Sequence, residues 1–194
     1  AVAKHPNASL QTLLYLSKID FADDVDRNPL LPLYIESGFD DIVKILEKIA
    51  EQTQRGERLE ELASSIWNDV RFGVANNEST SPATLFLLAK DKEEVVRRAV
   101  AWISGTPPDT LSFLAKDEEW SVRYGVASNA IVPQAILFFL AKDTQAYVRT
   151  GVTSNEKTPP AILSILAKDK EKDVRTAVAS NESTPPDILS LLAK

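Results

Sequence analysis

The residues that could do chemistry in this chain are few, and the most regular of them are five arginines. Each follows a valine, and neighbouring Val-Arg pairs lie 26 residues apart. These arginines are Arg71, Arg97, Arg123, Arg149 and Arg175. Guanidinium groups bind phosphate or carboxylate through paired hydrogen bonds. The row therefore predicts either an anion-binding surface or a set of repeated internal ion pairs.

Cysteine and histidine, the side chains that most often act as nucleophiles, bases and zinc ligands, are scarce. The 194 residues include no cysteine and one histidine, His5. Nucleophilic triads and zinc sites need more of these residues. His5 lies in His5-Pro6-Asn7, which indicates a loop residue rather than a catalytic base. Carboxylates could still do acid–base work, but they fall where helix caps and turns are expected. We therefore predict a non-enzymatic protein with no catalytic residue, cofactor or metal.

The charge is acidic and unevenly spread. The net charge is -6 at pH 7, and residues 1–64 hold 12 acidic and 7 basic side chains against 16 and 15 in the rest. A phosphate backbone demands a cationic excess that neither part has, which argues against nucleic acid as a partner. No apolar run of about 18 residues and no signal peptide is visible. We expect a cytoplasmic protein with no membrane partner.

The interval of 26 residues extends beyond the arginines. Four aspartates, each six residues before an arginine, keep the same interval: Asp91, Asp117, Asp143 and Asp169. Cutting the chain before each aspartate gives five units, 65–90, 91–116, 117–142, 143–168 and 169–194. Such self-similarity is typical of repeat architectures, in which stacked units bury a shared core.

The first half of a unit reads as a helix. In the last unit, Asp169 is expected to cap it by accepting N–H groups of the first turn. Val174 and Val178, with Ala177, form an apolar stripe at helical spacing. The helix should end near Asn181 in a left-handed C-cap. The residue two positions after each arginine is always glycine or alanine: Gly73, Ala99, Gly125, Gly151 and Ala177. Such small residues predict that neighbouring helices approach each other closely.

The second half of a unit reads as a second short helix. Thr184 is expected as its N-cap, Pro185 as its first residue and Asp187 as the partner in a capping box. Four apolar residues are expected on its buried side: Ile188, Leu189, Leu191 and Leu192.

The pattern D-x4-V-R-x2-V-A-x-N-x2-T-P-P-x-x-L-x-x-L-A-K, most complete in 169–194, resembles the variant leucine-rich repeat and, more distantly, HEAT repeats. The resemblance implies an all-α fold, a right-handed α-solenoid (superhelix) of two-helix repeats with one concave and one convex layer. The variant family has a unit of about 24 residues, often with a 3₁₀ second segment. The two extra residues here predict a full α-turn. Some relatives hold an iron–sulfur cluster on cysteines, which this chain lacks.

HEAT-like arrays carry an Asp–Arg ladder between neighbouring units. The resemblance therefore implies a structural role for the five arginines and four aspartates, in preference to anion binding.

The first third of the chain departs from the repeat. Residues 1–34 read as degenerate repeats. Residues 35–64 read as an inserted helix, with Ile42, Ile45 and Ile49 on one side, followed by the leucine helix of a degenerate repeat around Leu59 and Leu62. We expect all of these to continue one solenoid.

Function is expected where the repeat varies. Three variable positions of the first helix share one face, away from the valine stripe. They carry aromatic residues and an arginine, types enriched in interface hot spots. These candidate partner-binding residues are Phe72, Arg98, Trp102, Tyr124 and Tyr147. Alternatively, some of the aromatic rings fill space between units left by glycine.

The leading function is a scaffold that binds a protein or peptide on the concave face of its first helices. The alternatives are a nucleic-acid-binding HEAT-like protein and a HEAT-like enzyme of the bilin lyase type. The last unit leaves Leu189 and Leu192 without a following unit. Either the array continues, or this end packs on another chain and gives end-to-end self-association.

Overall fold

The computed structural model describes residues 56–65 and 68–193, and all regular secondary structure in these ranges is α-helical. The all-α prediction is confirmed for this part of the chain. The backbone falls into two compact units, residues 1–84 and 85–194, which are described separately below. The repeats predicted for residues 1–34 and the inserted helix near residues 42–49 lie outside the described residues.

Helices of two kinds alternate along the chain. In the first compact unit, α1 is the predicted leucine helix, with Leu59 and Leu62 fully buried. The helix bounds are α1 Gly56–Leu62, α2 Asn68–Ala75, α3 Pro82–Leu88, α4 Glu94–Trp102, α5 Pro108–Leu114, α6 Trp120–Ser128, α7 Gln134–Leu140, α8 Ala146–Ser154, α9 Pro160–Leu166, α10 Lys172–Ser180 and α11 Pro186–Leu192.

We call the helices that carry the Val-Arg pair first helices and those that follow them second helices. From α4 onward, successive first helices begin at residues 94, 120, 146 and 172, so they are 26 residues apart. The second helices are seven-residue α-helices, as expected from the two extra residues of this repeat. A proline or glutamine begins each of α5, α7, α9 and α11, and proline suits a helix start because no donor is lost there.

The core of residues 85–194 lies between first and second helices. On α6, Val122 and Val126 are fully buried, one helical turn apart. On the second helices α5, α7 and α9, the fourth and seventh residues, such as Leu137 and Leu140 on α7, are also buried. First helices pack directly on one another, α4 on α6, α6 on α8 and α8 on α10. Each helix is too short to be stable alone, so this packing stabilises it.

The close approach predicted from the small residues is present. A Cβ placed on Gly125 would lie 3.0 Å from the Cβ of Ala101 on the neighbouring first helix. A Cβ on Gly151 would lie 3.2 Å from that of Ala127. Only the smallest residues fit at this crossing, which explains the glycine or alanine at the position despite the helix-forming cost of glycine.

The predicted aspartate cap is wrong. α10 begins at Lys172 after Glu171, and neither Glu171 nor any other side chain makes a cap hydrogen bond. Oδ1 of Asp169 accepts the N–H of Glu171 at 2.9 Å instead, in a turn that precedes the helix. The cap does not form because the helix starts three residues after the aspartate, and the carboxylate also binds Arg149.

The predictions for the turn between the helices are also wrong. Asn181 is extended, with φ -77° and ψ 123°, rather than left-handed. Thr184 does not cap α11, because its hydroxyl donates to the carbonyl of Val178 at 2.6 Å. α11 begins at Pro186 after Pro185, with no side-chain cap bond. A capping box cannot form there, since the N-cap residue is a proline without an N–H.

The predicted buried side of α11 is partly wrong. Ile188 is buried, but Leu189 and Leu191 are exposed and Leu192 is half-buried. Leu163, at the place of Leu189 one unit earlier, is fully buried because α9 packs against both α8 and α10. Within the described residues, α11 packs against α10. The self-association expected from this end stays a prediction.

Candidate functional site

Three arginines of the row bind aspartates of the next unit. Nε of Arg97 donates to Oδ2 of Asp117 at 2.7 Å, and its Nη2 donates to Oδ1 at 2.9 Å. The same two-point contact joins Arg123 to Asp143 at 2.6 and 3.0 Å. Arg149 and Asp169 repeat it at 2.6 and 2.8 Å. This is the parallel geometry in which guanidinium and carboxylate bind most strongly.

The remaining donors of these arginines are used as well. Nη1 of Arg123 donates to the carbonyls of Asp117 and Glu118, at 2.8 and 2.9 Å, where the chain turns before α6. Only 7 to 13% of the three arginine side chains is exposed. The row thus ties each unit to the next and to its own turn, and offers little of its charge to a free anion.

The charge states follow from these contacts. The hydrogen bond that Arg123 donates to Asp143 raises the pKa of Arg123 above its usual value, and burial opposes that rise only in part. The hydrogen bond from Arg149 lowers the pKa of Asp169 below its usual value, with help from the N–H of Glu171. The Arg123 guanidinium and the Asp169 carboxylate are therefore ionised at neutral pH.

The outer members of the row have other contacts. In the first compact unit, Nη1 of Arg71 donates to the carbonyl of Ser65 at 2.8 Å. Nη1 of Arg175 donates to the carbonyls of Asp169 and Lys170, at 2.7 and 3.0 Å. Asp91 forms the same turn as the other aspartates, its Oδ1 accepting the N–H of Glu93 at 2.9 Å.

A second row, of asparagines, was missed by the sequence analysis. Nδ2 of Asn155 donates to the carbonyls of Ala127 and Asn129 in the preceding unit, at 2.8 and 3.0 Å. Asn129 bonds the preceding unit in the same way, through the carbonyls of Ala101 and Ile103. Asn181 repeats the arrangement. Asn129 and Asn155 are only 1% and 7% exposed, which indicates a structural role.

The signal for this row was present in the sequence, since the asparagines recur every 26 residues. From the sequence, Asn181 was expected in a helix C-cap, because asparagine tolerates the left-handed conformation. Their partners are 26 to 28 residues away, and only the packing of neighbouring units shows them.

Two of the predicted binding residues contact glycines between units. Trp102 and Tyr124 lie with ring centroids 5.8 Å apart. A Cβ on Gly125 would come within 3.1 Å of Trp102, and one on Gly151 within 2.9 Å of Tyr124. The alternative reading, in which aromatic rings fill space left by glycine, thus fits Tyr124 and one edge of Trp102. The rest of Trp102 is exposed.

Tyr147 is the most exposed residue of the candidate site, and it packs against a residue that was not selected from the sequence. Trp120, the first residue of α6, lies with its ring centroid 5.2 Å from that of Tyr147 on α8. Their exposed fractions are 42% for Trp120 and 66% for Tyr147. The signal for Trp120 was a tryptophan where the other units carry asparagine, glutamate, alanine or lysine, one turn before Tyr124.

These four side chains form one surface, which we call the aromatic row: Trp102, Tyr124, Trp120 and Tyr147. Trp120 and Tyr124 are four residues apart on α6 and so are neighbours on one helix face. Arg98 is half-exposed and pairs with Glu94 at 3.8 Å. Phe72 is half-buried on α2, in the other compact unit.

An open polar groove of about 630 Å³ lies between the last two units. Serines and two glutamates, Glu156 and Glu182, are among its lining residues. Within the described ranges no group of three or more histidine, cysteine or acidic residues is placed to hold a metal ion. Nor does any helix there have the length and apolar character to cross a bilayer.

No protein-family model matches the sequence, and no curated protein matches it either. Among solved structures, the chain is similar to a leucine-rich repeat variant described as having a novel repetitive structural motif. The two share 23% sequence identity and a TM-score of 0.61, over 94% of this chain and 82% of that one. The chain therefore has the fold of that leucine-rich repeat variant.

Proposed function

We propose that this protein is a non-enzymatic scaffold that binds a protein or peptide on its first helices. The observation that carries the proposal is the exposed aromatic row across α4, α6 and α8. Tyr147, Trp102 and Trp120 contribute most of it, because they are exposed to solvent.

The chemistry of this row suits a protein partner. Tryptophan and tyrosine are the residues most enriched in binding hot spots, since they supply large contact areas with few rotatable bonds. Trp120 and Tyr147 are already ordered against each other, so less side-chain entropy is lost on binding. Arg98, beside Trp102 on α4, adds a half-exposed cation at the edge of the row.

The proposal includes the repeat length, the hand of the superhelix and the side on which the first helices lie. We expect residues 85–194 to form 26-residue units of a right-handed superhelix, with the first helices on the concave side. In support, first helices contact one another more extensively than second helices do. An experimentally determined structure would test the hand and the curvature.

Nucleic-acid binding and bilin chemistry remain less favoured predictions. Arg97, Arg123 and Arg149 are already bound to carboxylates, which leaves little free cationic charge for a phosphate backbone. A retarded band of duplex DNA at low salt, or an absorbance change on adding a bilin, would favour these alternatives. The cytoplasmic location is likewise a prediction, which cell fractionation would test.

Differential affinity capture tests the scaffold. The full chain, a Trp120→Ser variant and a Tyr147→Ser variant are used as bait, and captured proteins are identified by mass spectrometry. Ile131→Ser is the matched control, because Ile131 is also an exposed apolar residue but lies in a turn outside the row. We expect at least one protein that the wild type and the control retain and both row variants lose.

The binding constant of that protein is then measured by calorimetry against the same variants. Each row variant should weaken it about tenfold or more, as is typical of a hot-spot aromatic. Far-UV circular dichroism must remain unchanged. Equal capture by all four baits, with intact helicity, would contradict the proposal.

A further inference from the structure

The second helices carry an apolar surface that takes no part in the core. The sixth residue of every second helix in residues 85–194 is large and apolar, and each is 45 to 54% exposed. We call this set the apolar stripe: Leu87, Phe113, Phe139, Ile165 and Leu191. Scattered exposed apolar residues need no explanation, but one at the same place in each unit makes a contiguous surface.

Other exposed apolar residues adjoin the stripe and link its first two units. Phe86 and Phe138, at the fifth position of their helices, are exposed and widen it. The ring of Phe86 contacts that of Phe113 in the next unit, edge to face, with centroids 5.9 Å apart. The core does not require these side chains, because the fourth and seventh positions already fill it, for example Leu111 and Leu114.

A row of lysines borders the stripe on one side. Each lysine follows its stripe residue by three positions, about one helical turn, and all are exposed: Lys90, Lys116, Lys142 and Lys168. Nζ of Lys90 lies 4.1 Å from the ring centroid of Phe86, so the cations adjoin the apolar surface. Within the described residues, the lysines that form ion pairs are Lys92 and Lys170, outside this row.

The other side of the stripe differs in charge. The residue four positions before each stripe residue is an alanine or an aspartate, with aspartate at Asp109 and Asp187. The surface is therefore polarised, with an apolar centre, one border that carries a lysine in each unit and another that is neutral to acidic.

We propose that the apolar stripe and its lysine row bind an acidic amphipathic helix of a partner protein. The apolar side of that helix covers the stripe, and carboxylates along one flank face the lysines. The spacing fits such a helix. Neighbouring packed helices lie about 8–10 Å apart, and a helix presents the same face every seventh residue, about 10.5 Å along its axis. Laying an apolar helix face into such a surface is a recurrent recognition mode.

A membrane surface fits these observations less well. Interfacial segments insert their apolar side chains about 5–10 Å into the headgroup region. About half of each stripe side chain is packed against the protein instead. This inference does not rest on the aromatic row, which lies on the first helices.

Synthetic peptides test the proposal with the full chain. One is a 21-residue helix-forming peptide with leucine at heptad positions a and d and glutamate along one flank. The comparison peptide has lysine in place of each glutamate. Affinity is measured by fluorescence anisotropy. We expect the glutamate peptide to bind at least ten times more tightly than the lysine peptide, with the difference shrinking at high salt.

Variants locate the binding to this surface. Phe139→Ser should weaken binding of the glutamate peptide about tenfold, because it removes the centre of the stripe. A Lys116→Glu/Lys142→Glu variant should reverse the preference between the peptides. Ile131→Ser, exposed but outside the stripe, should bind as the wild type does. Circular dichroism checks that each variant is folded.

Two results would overturn the inference. One is the absence of binding, or equal affinity for both peptides. The other is binding to phosphatidylserine vesicles that exceeds binding to the glutamate peptide and depends on Phe139, which would assign the stripe to a membrane. Loss of the aromatic-row partner in Tyr147→Ser, with peptide binding intact, would show that the two surfaces are separate.

Discussion

Replacing Asn155 with alanine removes hydrogen bonds that join two units of the array. Its Nδ2 donates to the carbonyls of Ala127 and Asn129 in the preceding unit, at 2.8 and 3.0 Å. Its Oδ1 accepts the N–H of Lys157 at 2.9 Å within its own turn. The asparagine row was not foreseen from the sequence, so this substitution tests what the tertiary structure added.

The expected loss of stability can be worked out bond by bond. The Ala127 carbonyl is buried in the last turn of α6, where intrahelical donors run out, so losing its partner costs about 1–3 kcal/mol. The Asn129 carbonyl keeps a hydrogen bond from the N–H of Val132, so losing the bond from Asn155 costs only about 0.5–1.5 kcal/mol. The N–H of Lys157 is near the surface, where water replaces the lost acceptor. We expect a total of about 3 kcal/mol.

The assay is equilibrium unfolding in urea, followed by far-UV circular dichroism. Ser154→Ala, an exposed neighbour, is the control and should change stability by less than about 0.5 kcal/mol. Asn155→Asp keeps the acceptor for Lys157 but replaces the donor with a second acceptor. It should be at least as unstable as Asn155→Ala at neutral pH, because a carboxylate would then face two carbonyl oxygens.

A loss below about 1 kcal/mol for Asn155→Ala, at an unchanged slope against urea, would contradict this prediction. It would mean that water satisfies both carbonyls and that the asparagine row does not join the units. An Asn155→Asp variant as stable as the wild type would contradict the assigned direction of the hydrogen bonds.

Two further predictions concern other contacts between units. Gly151→Ala places a Cβ 2.9 Å from Cδ2 of Tyr124, so it should destabilise the chain by about 1 kcal/mol despite the gain in helix propensity. Gly151→Ala in a Tyr124→Ala background should be neutral or stabilising. If urea unfolding instead shows that the two substitutions change the free energy of unfolding additively, the contact between residues 124 and 151 does not explain the loss. Arg149 lowers the pKa of Asp169 in the folded state. The ionised carboxylate therefore stabilises the fold at pH values above the unfolded-state pKa of about 3.9. This stabilisation is lost as the pH falls towards the lower folded-state pKa. Asp169→Asn should therefore lose less stability than the wild type between pH 5 and pH 2, and parallel curves would disprove this.

The sequence alone determined the helical elements of residues 68–193. Valines at helical spacing predicted α6, α8 and α10, and the prolines marked the starts of α5, α9 and α11. The glycine and alanine position predicted the close helix crossing that Gly125 and Gly151 make. These features follow from periodicity, steric size and the missing N–H of proline, which are properties of a residue and its near neighbours.

The tertiary structure decided which partners the polar side chains take and which apolar side chains stay exposed. Asp169 was expected to cap the next helix, but its carboxylate binds Arg149, 20 residues earlier. Leu191 was expected in the core, but it belongs to the exposed apolar stripe. Tyr124 was expected in a binding patch, and it also packs where Gly151 leaves space. Each outcome depends on contacts between units, 20 to 28 residues apart in the chain, and local propensity carries no information about such contacts.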